Sequence, residues 1–285
     1  MAAVEVAQTL ESVFLRHPLE IVVWANEEGG KTIGKGMSFM GGDPLKLAAN
    51  QRQAGDIAAY VELHIEQGAE LDRLGLDIGV VQGIVGIKRW YVEAEGFANY
   101  AGTTLMNRRQ DALLAASKFV VLVNDVITSV AGTQVGTVGK MQALPGAPNV
   151  IPGQALFSME IRDLSMEKVD QLFTEIKRRT KGLSEESGVQ FQFEHYYTSP
   201  SAPANKFIMS LIESRVVARC YSYQAMPSGA GHDAQSIAQI APMGMIFVPS
   251  KNGVSHAPSE YTDPALITKG ANVLLDTILT LDDVD

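Results

Sequence analysis

The apolar segment LEIVVWAN at residues 19–26 constrains the fold most, because it is uninterrupted and follows an amphipathic helix predicted for residues 4–14. A continuous apolar strand of this kind is typical of a parallel sheet that is buried on both faces. The segment ends in Glu27 and Glu28, followed by two glycines. Side chains alternate faces along a strand, so the two carboxylates cannot serve the same purpose. They are either solvated residues at the end of a strand or part of a metal site, since ligands bind at the carboxyl ends of such strands.

The sequence pattern changes near residue 88 and again near residue 200. Residues 88–200 contain strands with alternating apolar residues and two long helices, which predict an antiparallel sheet covered by helices on one face. The flanking segments have the pattern of an α/β fold. We therefore predict an α/β domain, residues 1–87 plus 201–285, with a mostly parallel sheet and helices on both faces. A two-layer α+β domain, residues 88–200, interrupts it.

Composition limits the partners and the compartment. The 285 residues are 46% hydrophobic and 19% charged, which is typical of a soluble globular protein. The net charge is −9 and no basic run occurs, so we expect neither nucleic acid nor a membrane as a partner. Cys220 is the only cysteine, which excludes an intramolecular disulfide bond. With no basic segment leading into an apolar stretch at the N-terminus, these features predict a cytoplasmic protein.

Three histidines lie at predicted strand ends or in turns. They are His64 in ELHIEQG, His232 in SGAGHDA and His256 in VSHAPSE. Each one alone is more simply explained as an ordinary loop histidine, and no short HxxH-type signature occurs. Together with Glu27 and Glu28 they supply the imidazole and carboxylate ligands that suit zinc or manganese, and also cobalt or nickel. The residues therefore favour a hydrolytic metal site without proving one.

Other catalytic classes find little support. Cys220 lies in a helical pattern, no GxSxG elbow occurs, and the glycines of GGD and SGAG match neither a phosphate-binding loop nor a dinucleotide fingerprint. Asn149 in APNVIPG and Arg162 in MEIRD are candidates for binding a substrate carboxylate, which a planar guanidinium group recognises well. A surface ion pair with a neighbouring acidic residue is the simpler explanation of Arg162.

Eight motifs occur in the order of a known family. They are NEEG, YVELHIEQGAELD, GIVGIKRW, AGTTLMNRRQDALLAA, PNVIPG, IRD, SGAGHDA and GMIFVPSKNGVSHAPSE. Together they resemble the N-carbamoyl-L-amino-acid hydrolases and allantoate amidohydrolases, metal-dependent amidases of the superfamily that includes aminoacylases and acetylornithine deacetylase. The resemblance covers essentially the whole chain. It implies an α/β catalytic domain with two metal ions, and an inserted α+β domain that acts as a lid and forms a homodimer.

The resemblance also implies roles for the residues around the metals. Glu27 would be the general base. Glu28, His64 and His256 would be metal ligands. The metal would lower the pKa of a water molecule and polarise the scissile carbonyl, while Glu27 carries the proton to the leaving nitrogen.

Substrate contacts follow from the same motifs. Asn149 and Arg162 match positions that hold the substrate carboxylate, and Gln67 and His232 match positions near the metals or the substrate. Where the family has the motif NHAGTT, this chain reads NYAGTT, so Tyr100 stands in place of the histidine. That histidine stabilises the oxyanion across the dimer, so Tyr100 marks a substituted oxyanion position.

The chain differs from the family at its N-terminus. Family members carry GSHxDT and a later GGxxDG, which supply a histidine ligand and the aspartate that bridges both metals. Met1 falls after the place of that segment, so the chain resembles an N-terminally shortened member. We therefore expect one bound metal or none.

Three functional hypotheses remain from the sequence. The first is an impaired metal-dependent amidohydrolase that cleaves N-carbamoyl-L-amino acids or allantoate-like ureido compounds. The second is a catalytically inactive relic that acts as a dimerising or small-molecule-binding module. The third is a dipeptidase or carboxypeptidase of the wider superfamily, which HIEQG and AGTT disfavour because they resemble the amidase branch.

Overall fold

The computed structural model describes residues 2–22, 38, 41–43, 45–46 and 51–284. Glu27 and Glu28, together with residues 23–26 of the predicted strand before them, lie outside these residues. The chain divides into two compact units: unit 1 comprises Met1–Ile84 and Ala202–Asp285, and unit 2 comprises Val85–Ser201. No helix in the described ranges is both long enough and apolar enough to cross a membrane.

Helices and strands alternate along most of the described chain. The helices are α1 (Ala2–Leu10), α2 (Glu70–Leu74), α3 (Ala112–Thr128), α4 (Met166–Ser187), α5 (Lys206–Ala218), α6 (Ala234–Ile237) and α7 (Pro264–Asp282). The strands are β1 (Tyr60–Ile65), β2 (Ile78–Ile84), β3 (Gly86–Glu95), β4 (Asn99–Tyr100), β5 (Val135–Leu144), β6 (Val150–Ile151), β7 (Gln154–Asp163), β8 (Gln190–Ser199), β9 (Ala202–Pro203), β10 (Tyr223–Ser228) and β11 (Met243–Val248).

Unit 1 is built on one sheet in the order β1–β11–β2–β10, with β9 beside β2. Strands β1 and β11 are parallel, as are β2 and β10, whereas β11 and β2 are antiparallel. The predicted α/β fold class with a mostly parallel sheet is confirmed, since β1–β11 and β2–β10 are the longer ladders. The sheet also contains two short antiparallel ladders, in which β2 pairs with β11 and with β9.

Alternation along β1 and β11 gives the sheet two different faces. One face joins β1 residues Val61, Leu63 and Ile65 to a core that includes residues of α1, α5 and α7. The other face carries Tyr60 and packs with residues of α2 and α6. Helices therefore cover both faces, as predicted, and Glu62 and His64 lie on the face shared with α6 because side chains two apart on a strand point the same way.

Local capping sets where the long helices begin. Asn205 precedes α5, and its side-chain oxygen accepts hydrogen bonds from the backbone N–H groups of Phe207 and Ile208. Asp263 caps α7 in the same way, with Pro264 as the first helical residue. Such caps satisfy N–H groups that have no partner within the helix. The two caps therefore fix the N-terminal ends of α5 and α7.

Unit 2 contains an antiparallel sheet in the order β5–β7–β3–β8. Helices α3 and α4 pack on one face, over a core in which Phe119 is fully buried and Trp90 stacks on Phe173 with ring centroids 4.1 Å apart. Strands β4 and β6 form a separate two-stranded ribbon. This arrangement is the helix-covered antiparallel sheet that the alternating pattern predicts.

The chain passes from unit 1 into unit 2 and back again at two positions that are paired in the sheets. In unit 1, Ile84 of β2 pairs with Ala202 of β9. In unit 2, Ile87 of β3 pairs with Ser199 of β8. The whole of unit 2 is thus an insertion between two paired strands.

Candidate metal centre

Strand β1 places a carboxylate and an imidazole side by side. Glu62 and His64 are two residues apart on the strand, and His232 from the loop between β10 and α6 approaches them. One potential ligand atom from each of the three residues lies within 4.8 Å of the other two. Among the described residues, this is the group of three whose chemistry suits a divalent cation.

Glu62 is held by one of its two carboxylate oxygens. Its Oε2 accepts a hydrogen bond from the Tyr60 hydroxyl at 2.8 Å and another from the Ala234 N–H at 3.1 Å. Burial raises the pKa of Glu62 above its ordinary value, although these hydrogen bonds and His64 act in the opposite direction. The other oxygen, Oε1, lies 3.7 Å from Nδ1 of His232.

His64 is oriented by the backbone. Its Nδ1 lies 2.8 Å from the carbonyl oxygen of Ile65. A carbonyl oxygen only accepts, so Nδ1 carries the proton and Nε2 of the neutral ring carries the lone pair. Metal-binding histidines commonly have their second nitrogen fixed in this way.

His232 has the most informative environment. Its side chain is fully buried, and its Nε2 lies 2.7 Å from the Ser228 hydroxyl. Nδ1 is buried and has no hydrogen-bond partner among the residues that the structure describes, because Glu62 at 3.7 Å is beyond hydrogen-bond distance. Burial, and then the nearby His64, lower the pKa of His232 to about 3, so the ring is neutral near pH 7. An unsatisfied buried polar atom costs about 1–3 kcal/mol, and a cation between the three side chains would satisfy it.

The HIEQG motif also has a structural role. The Glu66 carboxylate accepts hydrogen bonds from the backbone N–H groups of Glu70 and Leu71 and so caps helix α2. A side chain at Gly68 would collide with Glu66, since a Cβ there would lie 2.6 Å from Oε1. Capping therefore explains why a glycine stands at this position of the motif.

Gln67 and His256 lie together in a second network. The Gln67 side-chain nitrogen lies 3.2 Å from Nε2 of the exposed His256 and 3.3 Å from the Ser255 hydroxyl. The His256 backbone N–H donates to Glu260 at 3.1 Å. The pKa of Glu260 is lowered first by the Ser255 hydroxyl and then by the His256 N–H, with smaller effects of the His256 and His64 charges. His256 does not belong to the cluster of Glu62, His64 and His232.

The predicted substrate residues lie in unit 2. Tyr100 of β4 pairs with Val150 of β6, and the next N–H, that of Ala101, donates to the Asn149 carbonyl at 2.9 Å. The ribbon therefore brings Tyr100 and Asn149 close together, and both side chains are exposed. Arg162 on β7 donates from Nε to Glu160 at 2.5 Å. This contact is an ion pair with a neighbouring acidic residue, the simpler of the two explanations for Arg162.

Sequence reasoning missed Glu62 and Ser228. The signal for Glu62 was present, since ELH on a strand places a carboxylate and an imidazole on one face. Ser228 gave no such signal, because its contact with His232 depends on the course of the loop after β10.

Comparisons with known proteins identify the family of this chain. The model of peptidase family M20/M25/M40 matches residues 1–280. An N-carbamoyl-L-amino acid amidohydrolase from Geobacillus stearothermophilus is 33% identical over 99% of this chain and 76% of its own length. The allantoate amidohydrolase of Bacillus subtilis is 36% identical, with 79% of this chain and 55% of the relative covered. The chain thus spans between about half and three quarters of these two relatives.

Solved structures show the same relationship. A hydantoinase/carbamoylase family amidase from Burkholderia ambifaria superposes with a TM-score of 0.85 at 30% identity, covering 98% of this chain and 74% of the other. An amidase of the same family from Burkholderia multivorans gives 0.79 at 33% identity, with coverages of 88% and 60%. The family predicted from the eight motifs is confirmed. The chain belongs to peptidase family M20/M25/M40 and, within it, to the hydrolases that are similar to N-carbamoyl-L-amino-acid and allantoate amidohydrolases.

Proposed function

We propose that the protein is a metal-dependent amidohydrolase that cleaves linear amides such as N-carbamoyl-L-amino acids or allantoate-like ureido compounds. The observation that carries this proposal is the cluster of Glu62, His64 and His232, with its unsatisfied buried nitrogen, in a chain whose relatives bear these names. The ligand types favour zinc or manganese.

The residues around the cluster would divide the chemistry between them. A bound divalent metal polarises the scissile carbonyl and lowers the pKa of water. His64 would hold the metal through Nε2, because its Nδ1 is committed to the Ile65 carbonyl. The family resemblance adds Glu28 and His256 as ligands. It also gives Glu27 the task of moving the proton to the leaving nitrogen.

Unit 2 would supply the contacts that select a substrate with a carboxylate. Arg162 would bind the substrate carboxylate through its planar guanidinium, a group whose geometry suits carboxylates. Asn149 would contribute its amide from the neighbouring ribbon, and Gln67 and His232 would act near the reacting group. Tyr100 would donate its hydroxyl to the oxyanion in place of the family histidine. Because the reach of a tyrosine differs, we propose reduced turnover relative to the family.

The proposal includes a homodimer formed through unit 2 and a cytoplasmic location. Both rest on the family resemblance and on composition. The alternative function is an inactive module that dimerises or binds a small molecule without turnover.

An activity assay distinguishes the amidohydrolase from the inactive module. The full chain is incubated with N-carbamoyl-L-amino acids and, separately, with allantoate, with and without added Zn²⁺ or Mn²⁺, and release of ammonia or the free amino acid is measured. We expect metal-dependent hydrolysis that the Glu27→Gln variant loses. Binding of these compounds without hydrolysis, by the parent chain as by Glu27→Gln, would contradict the proposal and favour the inactive module.

A further inference from the structure

We propose that Glu160 is a positioning residue, which together with Arg89 holds the guanidinium of Arg162 in the orientation that receives a substrate carboxylate. The inference rests on the carboxylate-binding role proposed above for Arg162. It goes beyond that role because it gives Glu160 and Arg89 a part in substrate selection. All three residues belong to unit 2.

The three side chains lie on the face of the unit 2 sheet that the helices do not cover. Glu160 and Arg162 are two residues apart on β7, so their side chains point to the same face. The residues between and before them, Ile161 and Met159, belong to the core beneath α3 and α4. Arg89 lies directly opposite Glu160 in the register of β3 and β7, and therefore on the same open face.

Glu160 uses one carboxylate oxygen for each arginine. Its Oε1 accepts a hydrogen bond from Nε of Arg162 at 2.5 Å, and its Oε2 accepts one from Nε of Arg89, also at 2.5 Å. The side chains of Glu160, Arg162 and Arg89 are 21%, 26% and 35% exposed, so water reaches them only in part. Burial alone would raise the pKa of Glu160, but the hydrogen bonds from Arg162 and then Arg89 lower it. The group is therefore a carboxylate near pH 7.

Arg89 is itself held in place from the side away from Arg162. Its guanidinium carbon lies 4.9 Å from the centroid of the Tyr197 ring, within the range of a cation–π contact. Tyr197 is the residue opposite Arg89 in the register of β3 and β8. A row of contacts thus crosses three strands, from Tyr197 through Arg89 to Glu160, and ends on Nε of Arg162. Glu160 is anchored within the sheet before it meets Arg162.

An arginine that is held in advance binds a carboxylate more tightly than a mobile one. A long side chain that becomes ordered only when the ligand binds loses rotamer freedom at that moment, which weakens binding. The planar guanidinium must also face the carboxylate correctly. The two arginines and Glu160 together carry a net charge of about +1, which still attracts an anion. If Glu160 merely neutralised Arg162, its removal would strengthen anion binding, whereas removal of a positioning residue weakens it.

The first test compares binding of N-carbamoyl-L-alanine with binding of its primary amide, which lacks the carboxylate. Affinities of the full chain are measured by isothermal titration calorimetry with Zn²⁺ present, in a Glu27→Gln background that should not hydrolyse the compounds. NaCl is kept at about 1 M, where the screening length is about 3 Å, so the charge lost in Glu160→Gln has little effect by itself. Glu160→Gln is expected to lower the preference for the acid over the amide by about 3- to 10-fold, as expected when one long side chain must be ordered on binding.

The matched control is Glu175→Gln. Glu175 also accepts hydrogen bonds from two arginines, Arg178 at 2.6 Å and Arg179 at 2.7 Å, but it lies on α4, which packs on the other face of the sheet. This variant loses the same charge and a similar ion pair, and its preference for the acid should not change. In an Arg162→Ala chain, Glu160→Gln should have no further effect, because Glu160 acts through Arg162.

The second test measures the hold on Arg162 directly and needs no ligand. ¹H–¹⁵N spectra of the arginine Nε groups, assigned with Arg162→Lys, give the rate at which the Arg162 Nε–H exchanges with water. In the unmodified protein this exchange should be about 10-fold or more slower than in the free amino acid, as expected for a hydrogen bond to a charged group. Glu160→Gln should remove most of this protection. The measurement on the unmodified protein stands even if the variant does not fold.

The outcomes separate the inference from the proposed function. An acid preference that is unchanged or larger in Glu160→Gln would overturn the inference and leave the proposed function standing. An Arg162 Nε–H that exchanges as fast as in the free amino acid would do the same. If the parent chain does not prefer the acid, the carboxylate-binding role of Arg162 and the inference are both wrong. If it binds neither compound, the proposed function fails with them.

Discussion

Replacing Gly136 with alanine is expected to destabilise unit 2, because strand β5 approaches helix α3 closely at this point. A Cβ at Gly136 would lie 2.6 Å from Cγ1 and 2.8 Å from Cδ1 of Ile127. Cγ1 is bonded directly to Cβ, and an isoleucine in a helix has one strongly preferred χ1 rotamer. Ile127 therefore cannot swing away, and the helix or the strand must move.

The size of the effect follows from two opposing contributions. Overpacking a core costs about 1–3 kcal/mol, whereas replacing a glycine within a strand recovers about 0.5–1 kcal/mol. The net loss for Gly136→Ala is then about 1 kcal/mol or somewhat more. With a urea dependence of about 1–3 kcal/mol per molar, the unfolding midpoint should fall by about 0.5 M.

Trp90 provides the assay, because it is buried in the core of unit 2 and the chain has only one other tryptophan, Trp24. Urea unfolding is followed by tryptophan fluorescence in a Trp24→Phe background. The matched control is Gly182→Ala, an exposed position within α4 where a Cβ would have no neighbour within 4 Å. This variant should be more stable by about 0.5–1 kcal/mol.

A double-mutant cycle tests the cause. Ile127→Ala removes both atoms that the new methyl group would meet, so Gly136→Ala should cost nothing, or even stabilise, in that background. An unchanged or higher midpoint for Gly136→Ala alone would refute the reasoning. The same penalty with and without Ile127 would refute it equally.

Three further outcomes are expected. The pKa of Glu160 is lowered because hydrogen bonds from Arg162 and Arg89 outweigh the effect of burial. The stabilisation that Glu160→Gln removes should thus be full above the ordinary carboxyl pKa of 4.5 and disappear as the pH falls through the lowered pKa of Glu160. A difference in urea midpoint between the two proteins that stays constant down to the most acidic pH at which both fold would contradict this. Asp111→Ala removes the cap that accepts the Leu114 N–H at 3.0 Å and should lower stability by about 1 kcal/mol, whereas Asp111→Asn should keep most of it. Tyr100→Phe should lower kcat by about 10²- to 10³-fold if the hydroxyl meets the oxyanion, and an unchanged kcat would exclude that role.

Most helices could be predicted from the sequence because their signals are local. The two long helices predicted within residues 88–200 are α3 and α4, and Asp111 supplies the cap at the start of α3. Strands β5 and β10 were not anticipated. Among the described strands, each lies at the edge of its sheet. Strand β5 contains two glycines and β10 contains a proline, so neither has a clear apolar alternation. The antiparallel pairing of β2 with β11 joins segments about 160 residues apart, which no local pattern reveals.

The candidate site was predicted in part. His64 and His232 were selected for their residue type and turn context, and the structure brings them together with ring centroids 4.5 Å apart. Glu62 was overlooked because a carboxylate within an apolar strand has many explanations until its neighbours are known. Its part in the cluster depends on the loop after β10 crossing the face of β1, which is a tertiary contact. The roles of Asn149 and Arg162 in substrate binding stay predictions.

The paired positions at which unit 2 joins unit 1 have a consequence for how such a chain can be rearranged. The segment 86–199 begins and ends on adjacent strands, β3 and β8, and Ile84 lies opposite Ala202 in the flanking pair of β2 and β9. If the entire segment were inserted, deleted or exchanged, the chain would be cut at two points that already lie next to each other, after Ile84 and before Ala202. A recombination event, or a protein engineer, needs only a hairpin turn between β2 and β9 to close the gap.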